Sequence, residues 1–97
     1  MRVIAIKPLR EFWKKYHDAE IPIRAWYTEV KAAKWRKQND IKEKYRSVSI
    51  IANNRAVFNI LGNKYRLVFA TKYDFQIVYV RFIGTHKQYD KINAKEI

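Results

Sequence analysis

The chain has 97 residues, 48% of them hydrophobic and 15% aromatic, enough apolar side chain for one modest core and too much for a disordered tail. Lys and Arg number 21 against 9 Asp and Glu, a formal net charge of +12, so the surrounding field attracts polyanions and speeds encounter with them. Cysteine is absent, which excludes a disulfide framework and thiolate chemistry and fits a reducing compartment.

The N-terminal "MRVIAIKPL" holds an apolar run, Val3–Ile6, that reads as a first strand. It is too short for a signal-peptide core of roughly 7–15 residues. No run approaches the ~20 residues needed to cross a bilayer, so the expectation is a cytoplasmic protein without a membrane segment. Pro8 opens a helix, since proline is favoured in the first turn. Leu9, Phe12, Trp13 and Tyr16 then recur at i, i+3, i+4 and i+7, one face of that helix, which should end near His17 and Asp18. His17 reads as a capping or surface residue. Pro22 opens a second helix with the stripe Ile23, Trp26, Tyr27, Val30 and Ala33. Trp35 lies off that stripe. "QNDIKEKY" holds a short helical turn, with Ile41 and Tyr45 one turn apart.

The period then changes. "SVSII" is β-like and ends at the turn signal Asn53-Asn54. "RAVFNI" follows, closed by a tight hairpin at Gly62-Asn63. "KYRLVFATKY" alternates, with Tyr65, Leu67 and Phe69 on one face and Lys64, Arg66, Val68 and Ala70 on the other. Asp74 makes the next turn. "QIVYVRFIG" is the last strand, with Val78, Val80 and Phe82 opposite Ile77, Tyr79, Arg81 and Ile83. The expected architecture is α+β over a single domain spanning 1–97: two N-terminal helices packed on one face of a small antiparallel sheet, with a short C-terminal helix.

Metal, nucleotide and acyl-transfer chemistry find little support. The acids are scattered, His17 and His86 are far apart, and no His/carboxylate motif of ligand spacing exists. Gly62 and Gly84 are the only glycines, too few for a phosphate-cradling loop. No cofactor and no metal are expected. A basic sheet face remains. Lys64 and Arg66 share one strand, Arg81 lies on the next, and neighbouring strands approach to about 5 Å. His86, Lys87 and Tyr89 follow directly, and Asn59 and Asn63 flank the hairpin. Metal-free cleavage of RNA needs a group to take the 2′-hydroxyl proton, one to protonate the leaving 5′-oxygen, and cations for the phosphate. The bland alternatives stay open: a hydrogen-bonded structural His86, a packed Tyr89, and a solvated face carrying Lys64 and Arg66. Arg81 in an apolar strand calls for a partner or a ligand.

The segments "NNRAVFNILGNKYRLV" and "YVRFIGTHKQYDKINA" resemble the HigB-type toxins of bacterial toxin–antitoxin systems, within the RelE-like superfamily, and "DAEIPIRAWYTEVKAAKW" resembles that family's helical half. The resemblance runs from about Ala19 to Ala94. It implies a metal-independent mRNA endonuclease acting in the ribosomal A site. It also implies a HigA-type antitoxin with a helix-turn-helix domain, through which alone the pair would touch operator DNA. The positions carried over are Asn59, Gly62, Asn63, Lys64, Tyr65, Arg66, Arg81, Thr85, His86, Lys87, Tyr89 and Asp90. Leu61 and Asn93 depart from the pattern, where Gly and Asp are common. On this basis His86, Tyr89, Arg66, Arg81 and Lys64 are the expected catalytic residues, and Lys87, Asn59, Asn63, Lys34, Arg36 and Lys37 the expected RNA-binding ones. Asp90 is assigned to neighbouring cations or the terminal helix. Two other classes remain: a non-catalytic RNA-binding module, and a subunit whose cations pair with an acidic protein.

Overall fold

The computed structural model describes all 97 residues. Strand β1 (Arg2–Ile4) leads through a left-handed Ala5 into α1 (Lys7–Lys15). Pro8 sits in the first turn of α1, where its missing N–H has no helical partner to lose. Leu9, Phe12 and Trp13 are the buried stripe. Lys14 and Lys15 lie at the negative end of the helix dipole. A His17 ring nitrogen meets the Lys14 carbonyl at 2.7 Å, the capping role expected of it. After a 3-10 turn at His17–Ala19, α2 (Glu20–Ala32) begins two residues ahead of Pro22, which still falls in its first turn. Ile23, Trp26 and Val30 are its buried face.

Helix α3 (Gln38–Lys44) is held at its start by Asp40, whose carboxylate accepts from the main-chain N–H groups of Arg36 at 2.8 Å and Lys37 at 3.3 Å. Trp35, off the α2 stripe, is buried. Its ring stacks on Phe69 at 6.3 Å and meets Tyr45 edge-on at 6.2 Å.

The sheet is built from β1, β2 (Ser49–Ile51), β3 (Arg55–Ile60), β4 (Tyr65–Lys72) and β5 (Ile77–Thr85), in the order β1-β5-β4-β3-β2. Strands β2 to β5 form the expected antiparallel meander. Strand β1 adds to β5 in parallel, which makes the sheet mixed. The β2–β3 turn uses left-handed Asn53 and Asn54, a conformation asparagine tolerates. The β3–β4 turn is longer than the expected Gly62-Asn63 pair. It occupies residues 61–64, and its left-handed residues are Leu61 and Gly62.

One face of the sheet carries the main core, where Leu9, Ile23, Trp26, Val30, Ile41, Leu67, Phe69 and Val78 are each 1% exposed or less. Each such aliphatic side chain contributes about 1.5–3 kcal/mol by leaving water. The second face has its own small cluster, Val57, Val68 and Ala94, packed against Phe82, Tyr89, Ile92 and Ile97. The chain after α4 (His86–Tyr89) therefore folds back across this face, and Asn53 Nδ2 donates to the Lys95 carbonyl at 2.8 Å to hold it there.

Strand β5 departs from simple alternation. Val68 pairs with Phe82, yet Phe69 pairs with Val80, so Arg81 is an extra, bulged residue. An inserted residue shifts the side-chain phase by one. Val78 and Val80 face the helices, but beyond the bulge Ile83 takes that face, and Phe82 joins Val57 and Val68 on the other. The expected grouping of Phe82 with Val78 and Val80 is thereby corrected. No helix of the protein is long and apolar enough to cross a membrane.

Candidate functional site

The end of the sheet where β5 runs into α4 gathers most of the expected polar residues. Asn59, Arg66 and Gly84 lie side by side on β3, β4 and β5. An Arg66 Nη1 donates to Asn59 Oδ1, and the guanidinium lies over the Tyr89 ring, 5.5 Å from its centroid. The Arg66 Nε is buried with no acceptor. Leaving such a donor unpaired costs roughly 1–3 kcal/mol. Gly84 matters for room. A Cβ there would lie 2.5 Å from the Phe82 ring.

Helix α4 is aimed by a reciprocal cap. Gln88 N–H donates to Thr85 Oγ1 at 3.2 Å, and Thr85 N–H donates to Gln88 Oε1 at 2.8 Å. The His86 N–H donates to the Lys64 carbonyl at 3.3 Å, which ties the helix to the β3–β4 hairpin. His86 Nδ1 lies 3.1 Å from Asp90 Oδ2, one turn on, with both side chains about half exposed. An ionised carboxylate only accepts, so Nδ1 is the nitrogen that donates, and Nε2 is left without a hydrogen-bond partner in the protein. Asp90, assigned from sequence to cations or the helix end, thus contacts the histidine. The i, i+4 spacing of "HKQYD" is the signal that could have revealed this contact.

Lys64 lies apart from Arg66. It falls in the turn before β4, and its ammonium pairs with Asp18 Oδ2 at the foot of α2. The Tyr65 hydroxyl donates to the other oxygen of Asp18 at 2.6 Å. The Lys64 hydrogen bond, then that of Tyr65, holds the Asp18 carboxyl below the usual carboxylate range, and Asp18 in turn pushes Lys64 up. Burial, then the same carboxylate, pushes the Tyr65 phenol up. Lys64 therefore clamps the hairpin to the helices with its charge offset, contrary to the expectation that it shares a face with Arg66.

Arg81 also stands away. It lies on the far half of the second face, where it contacts the Tyr79 ring and the Ile97 main-chain oxygen. Asn63 and Lys87 are exposed at the His86 end of the sheet, and neither side chain is hydrogen-bonded to the protein. Lys34, Arg36 and Lys37 are exposed on the α2–α3 connection. Lys34 and Arg36 line a cavity with Met1, Asp74 and Gln76, at the start of β5. That strand has nine residues, so they lie roughly 30 Å from His86. The site brings together His86, Asp90, Tyr89, Arg66 and Asn59. No three His, Asp or Glu side chains gather into a metal-ligand set.

Comparison with known proteins places the chain in a family. The chain is 27% identical over 96 residues to the mRNA interferase toxin HigB of Escherichia coli strain K12, covering 97% of this chain and 92% of that protein. The mRNA interferases HigB of E. coli O157:H7 and of Shigella flexneri match at the same identity and coverage. Residues 19–92, which include Asn59, Arg66, His86, Tyr89 and Asp90, match the family model of the HigB toxins, described as the RelE-like toxic component of a toxin–antitoxin system. The chain belongs to the HigB toxin family.

Proposed function

We propose that the protein is a ribosome-dependent endoribonuclease that cleaves translated mRNA without a metal ion, the toxin partner of a HigA-type antitoxin. The supporting observation is the Arg66 guanidinium, bonded to Asn59 and lying over Tyr89, beside a histidine held by Asp90. Family membership and the net charge of +12 support the substrate class. His86 Nε2 takes the 2′-hydroxyl proton. The 2′-oxygen bonds to phosphorus as the bond to the 5′-oxygen breaks, and that oxygen takes a proton from the Tyr89 hydroxyl. The products are a 2′,3′-cyclic phosphate and a 5′-hydroxyl. Arg66 and Lys87 stabilise the charge that builds on the phosphate oxygens. Asn59 positions Arg66, and Asn63 reaches the strand from the hairpin tip. Lys64 acts through Asp18 and holds the hairpin in place. Lys34, Arg36 and Lys37, a strand length away, meet ribosomal RNA.

Mapping new 5′ ends on a message translated by purified ribosomes tests this. The parent protein gives discrete ends and upstream fragments closed by a cyclic phosphate. Substituting a 2′-deoxynucleotide at the scissile position abolishes them. His86→Ala and Arg66→Ala each lower cleavage by about 10²–10⁴-fold, the range for proton-transfer and charge-stabilising groups. Protection of the message without new ends would mean a non-catalytic RNA-binding protein.

A further inference from the structure

Phe75 is the one aromatic side chain of the protein that is exposed, at 73%. It belongs to a 3-10 turn, Tyr73–Phe75, between β4 and β5. Left-handed Gln76 closes that turn, and its Nε2 donates to the Tyr73 carbonyl at 2.9 Å and to the Trp35 carbonyl at 2.6 Å. The turn is thereby fastened to the α2–α3 connection. A ring carried on a fixed backbone gives up little freedom when a partner covers it. Two cavities flank the turn, and Tyr73 and Asp74 line both. The first, about 280 Å³, holds Phe75 with Lys72 and Asn54, whose exposed amide offers a donor and an acceptor. The second, about 590 Å³, holds Lys31, Lys34 and Arg36. The ion pairs of the protein involve Lys7, Arg24, Lys64 and His86, and none of these four cations. Asp74 is the single carboxylate in either wall. Nearby Asp40 is taken up by the main-chain N–H groups of Arg36 and Lys37. An aromatic face, an amide beside it and unpaired cations across one turn match an unpaired nucleotide. The base stacks on the ring, its edge bonds to the amide, and the flanking phosphates meet the cations. A duplex would keep its bases from Phe75, and an acidic protein segment would use the cations and leave the ring without a stacking partner.

We propose that the Tyr73–Phe75 turn is a docking site for an unpaired nucleotide of ribosomal RNA, with its base on Phe75 and its flanking phosphates at Lys72, Lys34 and Arg36. This deepens the ribosome-dependent reading and rests on it for the identity of the RNA. The turn precedes β5, whose nine residues put it roughly 30 Å from His86. The anchor is therefore remote from the scissile link, and it sets how the protein sits on the ribosome.

The test measures the affinity of the full chain for purified ribosomes without mRNA, together with chemical protection of unpaired ribosomal bases. Phe75→Leu keeps an apolar side chain and removes the stacking face. It weakens binding by roughly 5–150-fold, the range for one base–aromatic stack, and one unpaired base loses its protection. Phe75→Trp restores both. Lys34→Gln/Arg36→Gln lowers the slope of log affinity against log salt by about 0.7 for each phosphate that is no longer neutralised. In the cleavage assay, Phe75→Leu raises KM for programmed ribosomes more than it lowers kcat. An unchanged Tm for Phe75→Leu shows that the loss is one of binding and not of folding. The anchor is overturned if Phe75→Leu binds ribosomes as tightly as the parent, or if no unpaired base is protected. It is also overturned if Phe75→Leu keeps its ribosome affinity and instead loses the antitoxin, which would make the turn a seat for a protein. A parent that binds no ribosome would defeat the ribosome-dependent reading and the anchor with it. A parent that binds and protects but cuts no message would defeat the ribonuclease assignment alone.

Discussion

Replacing Gly84 by alanine tests how the sheet supports the site. The added Cβ would lie 2.5 Å from Phe82 Cζ and 2.7 Å from Gln88 Oε1, well inside the ~3.5–4.0 Å optimum for carbon contacts. Two adjustments relieve the clash. Gln88 can swing away, giving up its bond to the Thr85 N–H and with it half of the α4 cap, a loss of about 0.5–1.5 kcal/mol. Phe82 must also shift within the cluster it forms with Val57, Val68, Tyr89 and Ile92, and such overpacking costs typically 1–3 kcal/mol. Together the two adjustments, about 1.5–4.5 kcal/mol, lower Tm by roughly 6–36 °C in a domain of this size. Gly62 provides the control. Its φ of +69° makes any side chain strained, but nothing lies within 4 Å, so Gly62→Ala costs only about 1–2 kcal/mol of left-handed backbone. Thermal denaturation followed by circular dichroism measures both. The same samples in the cleavage assay should show Gly84→Ala losing more activity than Gly62→Ala, because α4 carries His86 and Tyr89. A Gly84→Ala protein melting within about 2 °C of the parent, or above the Gly62→Ala protein, would refute the packing account.

Other outcomes follow from individual side chains. Asp90→Asn should lower kcat roughly tenfold with KM little changed, about 1.4 kcal/mol of transition-state stabilisation. It should add nothing further in a His86→Ala background; an additive loss would show that Asp90 acts independently of the histidine. The Asp18 carboxyl sits below its usual range, so its contribution to stability is present above the unfolded value, near pH 4, and is lost as pH falls through the lower folded value. Melting curves between pH 5 and pH 2 should therefore be flatter for Asp18→Asn than for the parent, and parallel curves would contradict the Lys64–Asp18–Tyr65 clamp. Thr71 is 1% exposed and its hydroxyl has no partner, so Thr71→Val should stabilise by about 1 kcal/mol by removing an unsatisfied polar group of similar shape. A lowered Tm would mean that the hydroxyl is bonded.

The helices were legible because their apolar residues repeat every three to four positions, as Leu9, Phe12 and Trp13 do. The meander was legible because Asn53-Asn54 and Gly62 punctuate alternating strands. Asn59, Arg66, His86 and Tyr89 were singled out from sequence, and they lie at one end of the sheet. Lys64 was misplaced for a physical reason. Strand alternation put it beside Arg66, but its charge is drawn to Asp18, 46 residues away, and no spacing rule reveals a partner at that separation. Lys34, Arg36 and Lys37 were grouped by charge alone, which says nothing about which end of a sheet a residue occupies.

The bulge at Arg81 left no trace in the apolar pattern, since Val78, Val80 and Phe82 alternate straight through it. Its consequences explain the layout of the second face. Without the extra residue, Phe82 would point into the helical core with Val80, Gly84 would face the helices, and Ile83 would share the second face with Arg81. With it, Phe82 turns under α4, and Gly84 comes beside Arg66 and leaves the guanidinium room. One inserted residue therefore positions the helix that carries His86 and frees Arg66. Charge in an apolar strand was the one anomaly visible in "YVRFIG". It marked a change of phase in the sheet, and the charge itself meets the Tyr79 ring and the Ile97 main-chain oxygen.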